Sequence, residues 1–267
     1  RIKDLVVRNW DKGKSVDMVS TDACQAVLSF AQERLWFIER YAEGSDAYHI
    51  PMVFELPIDI DRESLHKALQ AMLSRHIILS TVIQENDQDQ SYPVALDQPL
   101  KIIKRRFTHK KRLLKKVEED IRKVFILSLM YPIRVVEYCL KQSNETEKFF
   151  LLINVHHIAF DGWSHPIFME ELTAYYEHYA HQQPLPFGPL NVQYHDYAVW
   201  QRTEARQTGL KEELRYWQQH LLGYENLILP IDKIRPSQVD YEGANVQFSL
   251  DPSLSAQLKI RAKQLRC

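Results

Sequence analysis

Apolar residues recur at helical spacing over Leu28–Tyr41 (Leu28, Ala31, Leu35, Trp36, Ile38), after Asp59 and Asp61 (Leu65, Leu69, Met72, Leu73), and over Lys110–Phe125 (Leu113, Val117, Ile121, Val124, Phe125). Positions three and four apart share a helix face, so each stretch predicts an amphipathic helix. Polar Ser29 and Glu33 place the first helix start near residue 29; either aspartate can cap the second, which ends near Arg75-His76. Segments of strand length lie between them. Tyr48–Leu56 holds Pro51, which assigns it to an edge or a bulged position. Ile77–Ile83 is rich in β-branched residues, Leu100–Phe107 is apolar but basic, and Pro132 opens a strand over Ile133–Leu140. Gln84–Tyr92 and Gln142–Glu147 read as polar turns. Further on, Ser164–His181 predicts a helix that tolerates Pro166 in its first turn. Beyond the proline-punctuated crossing Pro184–Pro189, Tyr194–Gln201 and Leu210–Leu221 read as helices. Gly243–Leu250 alternates as a strand, and Asp251 or Ser253 caps a last helix. Strands and helices interleave without internal repeats, which predicts an α/β layered sheet.

Composition narrows the function classes more than the fold. The chain has 267 residues, enough to bury the core of one large domain or of two lobes. Lys and Arg number 34 against 35 Asp and Glu, so no whole-protein attraction to nucleic acid or to an anionic membrane is implied. The basic outer side of Lys110–Phe125 reads as a solvated helix face. Cys24, Cys139 and Cys267 have no paired spacing, which argues against a disulfide scaffold or a zinc site and fits a reducing cytoplasm. Arg1–Lys14 lacks the apolar stretch of a leader, and no window reaches the roughly 20 apolar residues of a membrane span. Residues 1–25 have linker composition, and the chain reads as an excerpt of a longer one.

One stretch carries candidate chemistry. The apolar run Phe149–Val155 leads into His156-His157, followed by Asp161 and Gly162. Histidine titrates near neutrality, so a His at a strand end is a candidate general base; the alternative is a pair of hydrogen-bonded core histidines. In a strand, adjacent side chains point to opposite faces. His157 then sides with Phe149, Leu151, Ile153 and Val155, and His156 with Phe150, Leu152 and Asn154. Both faces are apolar enough to be covered, so the pattern leaves the choice open. Asn154 on the His156 side points to a structural role for His156 and leaves His157 the freer of the two. No third His or Cys stands at metal-ligand spacing, and no Gly-x-Ser-x-Gly elbow or nearby cysteine offers a nucleophile. There is no glycine-rich phosphate loop among the 7 glycines. A base without a protein nucleophile points to direct attack of one substrate on another.

His156-His157-Ile158-Ala159-Phe160-Asp161-Gly162 resembles the His-His-x-x-x-Asp-Gly signature of nonribosomal peptide synthetase condensation domains. Leu28–Phe37 resembles the first core motif of that family, Arg75-His76-Ile77-Ile78-Leu79-Ser80-Thr81 the second, and Tyr194–Gln201 the fourth. Order and spacing agree over residues 26–267. The resemblance implies a chloramphenicol acetyltransferase-like two-layer sandwich with a mixed sheet and flanking helices. In it, residues 26–193 form the N-terminal lobe and 194–267 the crossover and incomplete start of a C-terminal lobe. It implies amide-bond formation between a carrier-bound aminoacyl or peptidyl thioester and the amine of a second carrier-bound aminoacyl group. The domain then needs no cofactor of its own: donor and acceptor carrier domains, and adjoining synthetase domains, present the phosphopantetheine arms. His157 takes the catalytic position and Gly162 offers its N–H to the developing oxyanion. His156 and Asp161 support the site, with Arg34 or Arg75 as the arginine partner of Asp161. Ser80 departs from the family, which commonly has arginine there, and this weakens any salt-bridge network inferred for the lobe. Trp36, Trp163 and Trp200 are expected to be packing residues, and the excerpt alone is expected to be inactive. The rivals are an epimerization domain, a soluble acyl-CoA transferase and a non-catalytic carrier-docking lobe; Asp161-Gly162-Trp163-Ser164 fits the condensing version best.

Overall fold

The computed structural model describes residues 27–41, 45–141, 147–228, 230–234 and 246–265. In chain order the elements are α1 (Phe30–Tyr41), β1 (His49–Leu56), α2 (Arg62–Arg75), a 3-10 turn (Ile77–Ser80), β2 (Thr81–Glu85), β3 (Ser91–Ala95), β4 (Ile102–Phe107), α3 (Lys110–Arg122), β5 (Ile133–Lys141), β6 (Glu147–His156), α4 (Ser164–His181), α5 (Tyr194–Gln201), α6 (Glu204–His220) and α7 (Pro252–Leu265). Residues up to Leu222 make one compact unit and Gly223–Cys267 another. The linker expected over residues 1–25 and the turn over 142–146 lie outside the described residues.

A mixed four-stranded sheet in the order β1-β6-β5-β4 forms the centre of the first unit. β6 pairs antiparallel with β1 and β5, and β4 runs parallel to β5. β1 takes the edge, the place a strand containing Pro51 can occupy. Because side chains alternate, each face of β6 meets a different layer. Leu151, Ile153 and Val155 join Leu65, Leu69, Met72 and Leu73 of α2 and Phe168 and Leu172 of α4 in the main core. Leu152, on the other face, packs with Val136, Tyr138 and the apolar side of α3, Leu113 and Val117. The fold is therefore α/β, with a mixed sheet flanked by helices.

The end of α3 is fixed by the sheet beneath it. The buried Arg134 guanidinium donates to the carbonyls of Asp120 (3.1 Å), Lys123 (2.7 Å) and Val124 (3.0 Å), and it lies 4.3 Å from the Phe125 ring centroid. The Ile121 carbonyl accepts from Asn154 Nδ2 at 3.0 Å and from His49 Nδ1 at 2.7 Å. The last carbonyls of a helix have no partner within it and carry partial negative charge, so a cation and two N–H donors suit them.

Three sequence expectations change. Ile77–Ile83 is not one strand: its first residues form the 3-10 turn, because the Ser80 and Thr81 hydroxyls both donate to the Ile77 carbonyl, at 3.1 and 2.7 Å. The polar turn shrinks to the residues between Glu85 and Ser91, where Asn86 Oδ1 accepts from the Gln88 and Gln90 N–H groups, and a two-stranded β2–β3 sheet flanks it. Within Gly243–Leu250, residues 246–250 form no strand and the rest lie outside the described residues. Among the described residues the alternation there has no strand to pair with: Val246 is 87% exposed and Phe248 79%.

Candidate active site

The two histidines leave β6 in different environments. The ladder reaches past the strand end, with the His156 N–H donating to the Pro132 carbonyl (2.7 Å) and the His157 N–H to the Tyr48 carbonyl (2.8 Å). The Ala159 N–H then closes a turn onto the His156 carbonyl at 3.0 Å. Two side chains anchor this turn from opposite sides. Ile158 is buried with Leu28, Leu35, Ile83, Phe125 and Leu127, and Phe160 enters the main core edge-on to Phe168, ring centroids 5.7 Å apart.

His156 is fully buried and both its ring nitrogens are engaged. Nδ1 accepts the Ile158 N–H at 3.1 Å, so the ring proton sits on Nε2, 3.0 Å from Glu39 Oε1 of α1. The partner of His156 is thus Glu39; Asn154, on the same face, serves the end of α3. His157 is exposed, and its ring makes no hydrogen bond to any described residue. Among the described residues it is the histidine of the pair left free to meet something else.

Asp161 is occupied locally. Its Oδ1 accepts from Ser164 N (2.8 Å) and Ser164 Oγ (2.7 Å), while its own N–H reaches Ser164 Oγ at 3.3 Å. The two residues thus bridge each other reciprocally across the turn that leads into α4. Neither expected arginine is paired with it. Arg34 is exposed, and among the described residues no ion pair joins it to Asp161. Arg75 is committed elsewhere: Nε lies 3.0 Å from Glu171 Oε1, Nη1 donates to the Gly188 carbonyl at 2.6 Å, and the guanidinium stacks 4.2 Å from the Phe187 centroid. The reason is placement, since α2 and α4 share one sheet face and Glu171 lies on the buried side of α4. His76 completes the Glu171 cluster. Burial alone would push the Glu171 carboxyl up, but His76 and Arg75 outweigh it and hold the group below the ordinary carboxylate range.

Gly162 is exposed, its φ lies outside the left-handed region, and a Cβ built on it would meet nothing within 4 Å. The space that a side chain would take at this position is empty. Trp163 is also corrected: it is 69% exposed rather than packed. Trp36 donates to Ser91 Oγ at 2.8 Å and Trp200 lies beside Tyr197, so these two do pack.

The four sequence motifs meet around this turn. Ser29 and Gln32 cap α1 reciprocally, with Ser29 N–H donating to Gln32 Oε1 (3.1 Å) and Gln32 N–H to Ser29 Oγ (3.2 Å). Ser29 Oγ shares a 2.9 Å hydrogen bond with the Tyr194 hydroxyl of α5. Burial raises the Tyr194 phenol pKa; Tyr197 and Asp161 add to this and the Ser29 hydrogen bond opposes it. Gln193, the N-cap of α5, donates to the Arg75 carbonyl (2.9 Å) and accepts from the Ile77 N–H (3.2 Å), so the start of α5 also holds the second motif. Arg202, just after α5, donates to the Leu28 carbonyl and pairs with Glu33 at 2.6 Å. Among the described residues no group of His, Cys, Asp and Glu is placed to hold a metal, and no helix is long and apolar enough to cross a membrane. Burial pushes the Cys139 thiol up, away from thiolate chemistry.

A family model described as "Condensation domain" matches residues 23–266. A linear gramicidin synthase polypeptide of Brevibacillus parabrevis is 33% identical over 244 residues, which is 89% of this chain and 3% of that protein. Among solved structures, the complex of the X-domain and OxyB from teicoplanin biosynthesis matches 81% of this chain and 48% of that one, at 26% identity and a TM-score of 0.68. The epimerization domain from the third module of tyrocidine synthetase B matches 78% of this chain and 48% of that one, at 18% identity and a TM-score of 0.63. The chain therefore spans a small part of the curated relative and about half of either solved chain.

Proposed function

The chain belongs to the condensation domain family, and from that membership we propose that it carries the base of a site joining two carrier-bound substrates through an amide bond. The observation that supports this most is the contrast within the histidine pair. His156 is buried with both nitrogens engaged, whereas His157 is exposed with an unencumbered ring.

In this reading residues 26–193 are the N-terminal lobe and residues 194–267 the crossover and the start of a second lobe. Phosphopantetheine arms of a donor and an acceptor carrier domain bring a thioester and a free amine together. The acceptor nitrogen attacks the thioester carbonyl; the C–N bond forms while the electron pair moves to the carbonyl oxygen. His157 orients the amine and takes its proton. The Gly162 N–H donates to the developing oxyanion. Collapse of the tetrahedral adduct breaks the C–S bond, and the departing thiolate takes up a proton, leaving the amide on the acceptor arm. Holding two tethered reactants in line is worth roughly 7–11 kcal/mol of barrier, so most of the rate comes from placement. General-base help adds on the order of 10²–10⁴.

Replacing His157 by Ala in the complete synthetase is therefore expected to lower amide formation by about 10²–10⁴-fold while carrier binding is retained. A single-turnover assay with both carriers loaded measures this. Amide formation at the wild-type rate would instead favour a docking lobe, a reading that the solved X-domain complex with OxyB makes concrete. Exchange of the donor α-proton without amide formation would favour epimerization. Transfer from free acyl-CoA without a carrier would favour the acyl-CoA transferase.

A further inference from the structure

Glu39 lies outside the sequence motifs, yet it is a buried carboxylate pointed at the histidine pair. It sits on the inner face of α1, and its side chain is 5% exposed against 0% for His156. The His156 ring is otherwise enclosed by rings: Phe125 at 5.9 Å, His49 at 6.1 Å and Tyr48 at 6.3 Å between centroids. Glu39 Oε1 is the acceptor this enclosure offers to the Nε2 proton.

We infer that Glu39 is a positioning residue for His157, acting through the tautomer of His156; the inference rests on the proposed role of His157. While Glu39 accepts from Nε2–H, Nδ1 stays unprotonated and holds the Ile158 N–H. That bond ties the backbone just after His157 to the buried His156 ring. Without the acceptor, the Nε2 proton is buried and unpaired, a costly state. The ring relieves it by rotating or by moving its proton to Nδ1. Either change ejects the Ile158 N–H and releases the backbone that aims His157. A misplacement of about 1 Å at a reacting group is enough to cost on the order of 10²-fold in rate.

The test compares Glu39→Leu, Glu39→Gln and His157→Ala in the complete synthetase, with His156 ring-nitrogen NMR shifts as the second readout. Glu39→Leu is expected to lower kcat by about 10²-fold with little change in KM for the loaded acceptor carrier. Glu39→Gln keeps an oxygen acceptor and is expected to retain most of the rate, a rescue that a role in charge alone would not allow. His156 is expected as the Nε2–H tautomer in the wild type and in Glu39→Gln, and to lose that signature in Glu39→Leu. Wild-type kcat in a folded Glu39→Leu overturns the inference while His157→Ala still shows the loss. An Nδ1–H tautomer of His156 in the wild type overturns it whether or not Glu39→Leu folds. If His157→Ala itself keeps the wild-type rate, the catalytic reading falls and this inference falls with it.

Discussion

His49 shows how a single side chain can be fixed by groups far away in sequence. Its Nδ1 donates to the Ile121 carbonyl at 2.7 Å, while its Nε2 is buried without a partner. Burial lowers its pKa; the Ile121 carbonyl pulls the other way, and His156 and Arg134 lower it further. The folded-state pKa thus lies below the ordinary histidine value of 6.5. Above that value both states are neutral and the stabilisation is complete; as pH falls, the unfolded chain takes up the proton first and stability is lost. His49→Asn retains a donor near the Nδ1 position and removes the titration. Urea unfolding from about pH 7 down to about pH 5 should show a smaller loss of stability in the variant than in the wild type. Equal losses would show that His49 does not titrate differently on folding. Nothing in the local sequence singles out His49, because its role depends on where the end of α3 lands, and no spacing encodes that. Glu39 is more legible. Leu28, Gln32, Leu35 and Glu39 stand four, three and four residues apart, and all are buried. A carboxylate on the core stripe of a helix demands a buried partner. That demand is written in the helical spacing itself, although the identity of the partner is not.

At the scale of elements, periodicity locates the helices because a helix face is a local property. α2 and α4 have the bounds the pattern predicts, and Asp61 caps α2 by accepting from the Glu63 N–H. The pattern fails where side-chain hydroxyls or a distant strand decide, as in the 3-10 turn at Ile77–Ser80 and in β3 with its Pro93. Arg75 escapes the sequence for the same reason. It falls in a recognisable motif, but its ion partner Glu171 is set by how α2 meets α4. The attachment of α3 gives a prediction of this scale. Arg134 donates to three carbonyls at the end of α3, and hydrogen bonds from a charged group contribute about 1.5–3 kcal/mol each without adding fully. Arg134→Met should therefore destabilise the first unit by about 3 kcal/mol. Arg122→Met, which removes an exposed pair with Glu118 at 3.1 Å, should stay within about 1 kcal/mol. Matched denaturant titrations separate the two; a similar cost for both would mean that α3 is held by its apolar side alone.

For the whole molecule, four motifs far apart in sequence converge on one turn, and that convergence is what a list of motifs cannot display. Ser29 meets Tyr194 across 165 residues of sequence and Arg202 meets Leu28 across 174, so the ends of the first unit hold each other. Among its described residues, the unit from Gly223 onward has no comparable core. Every core side chain among the described residues lies at or before Ala198, and α7 buries none of its residues. Leu254, Leu258 and Ile260 of α7 are 45%, 50% and 59% exposed. Asp251 Oδ1 accepts from the Ser253 N–H at 2.8 Å at the start of α7, and the helix has 14 residues. Helices of about 12–15 residues are marginal in water without packing. Opening free energies follow buried apolar contact, so the two units should differ widely in amide exchange. In the 267-residue chain, amides of β5 and β6 should be the last to exchange and those of α7 among the first. Protection of α7 that matches β6 would mean that its exposed leucines are covered in solution by a surface of another copy or of another domain.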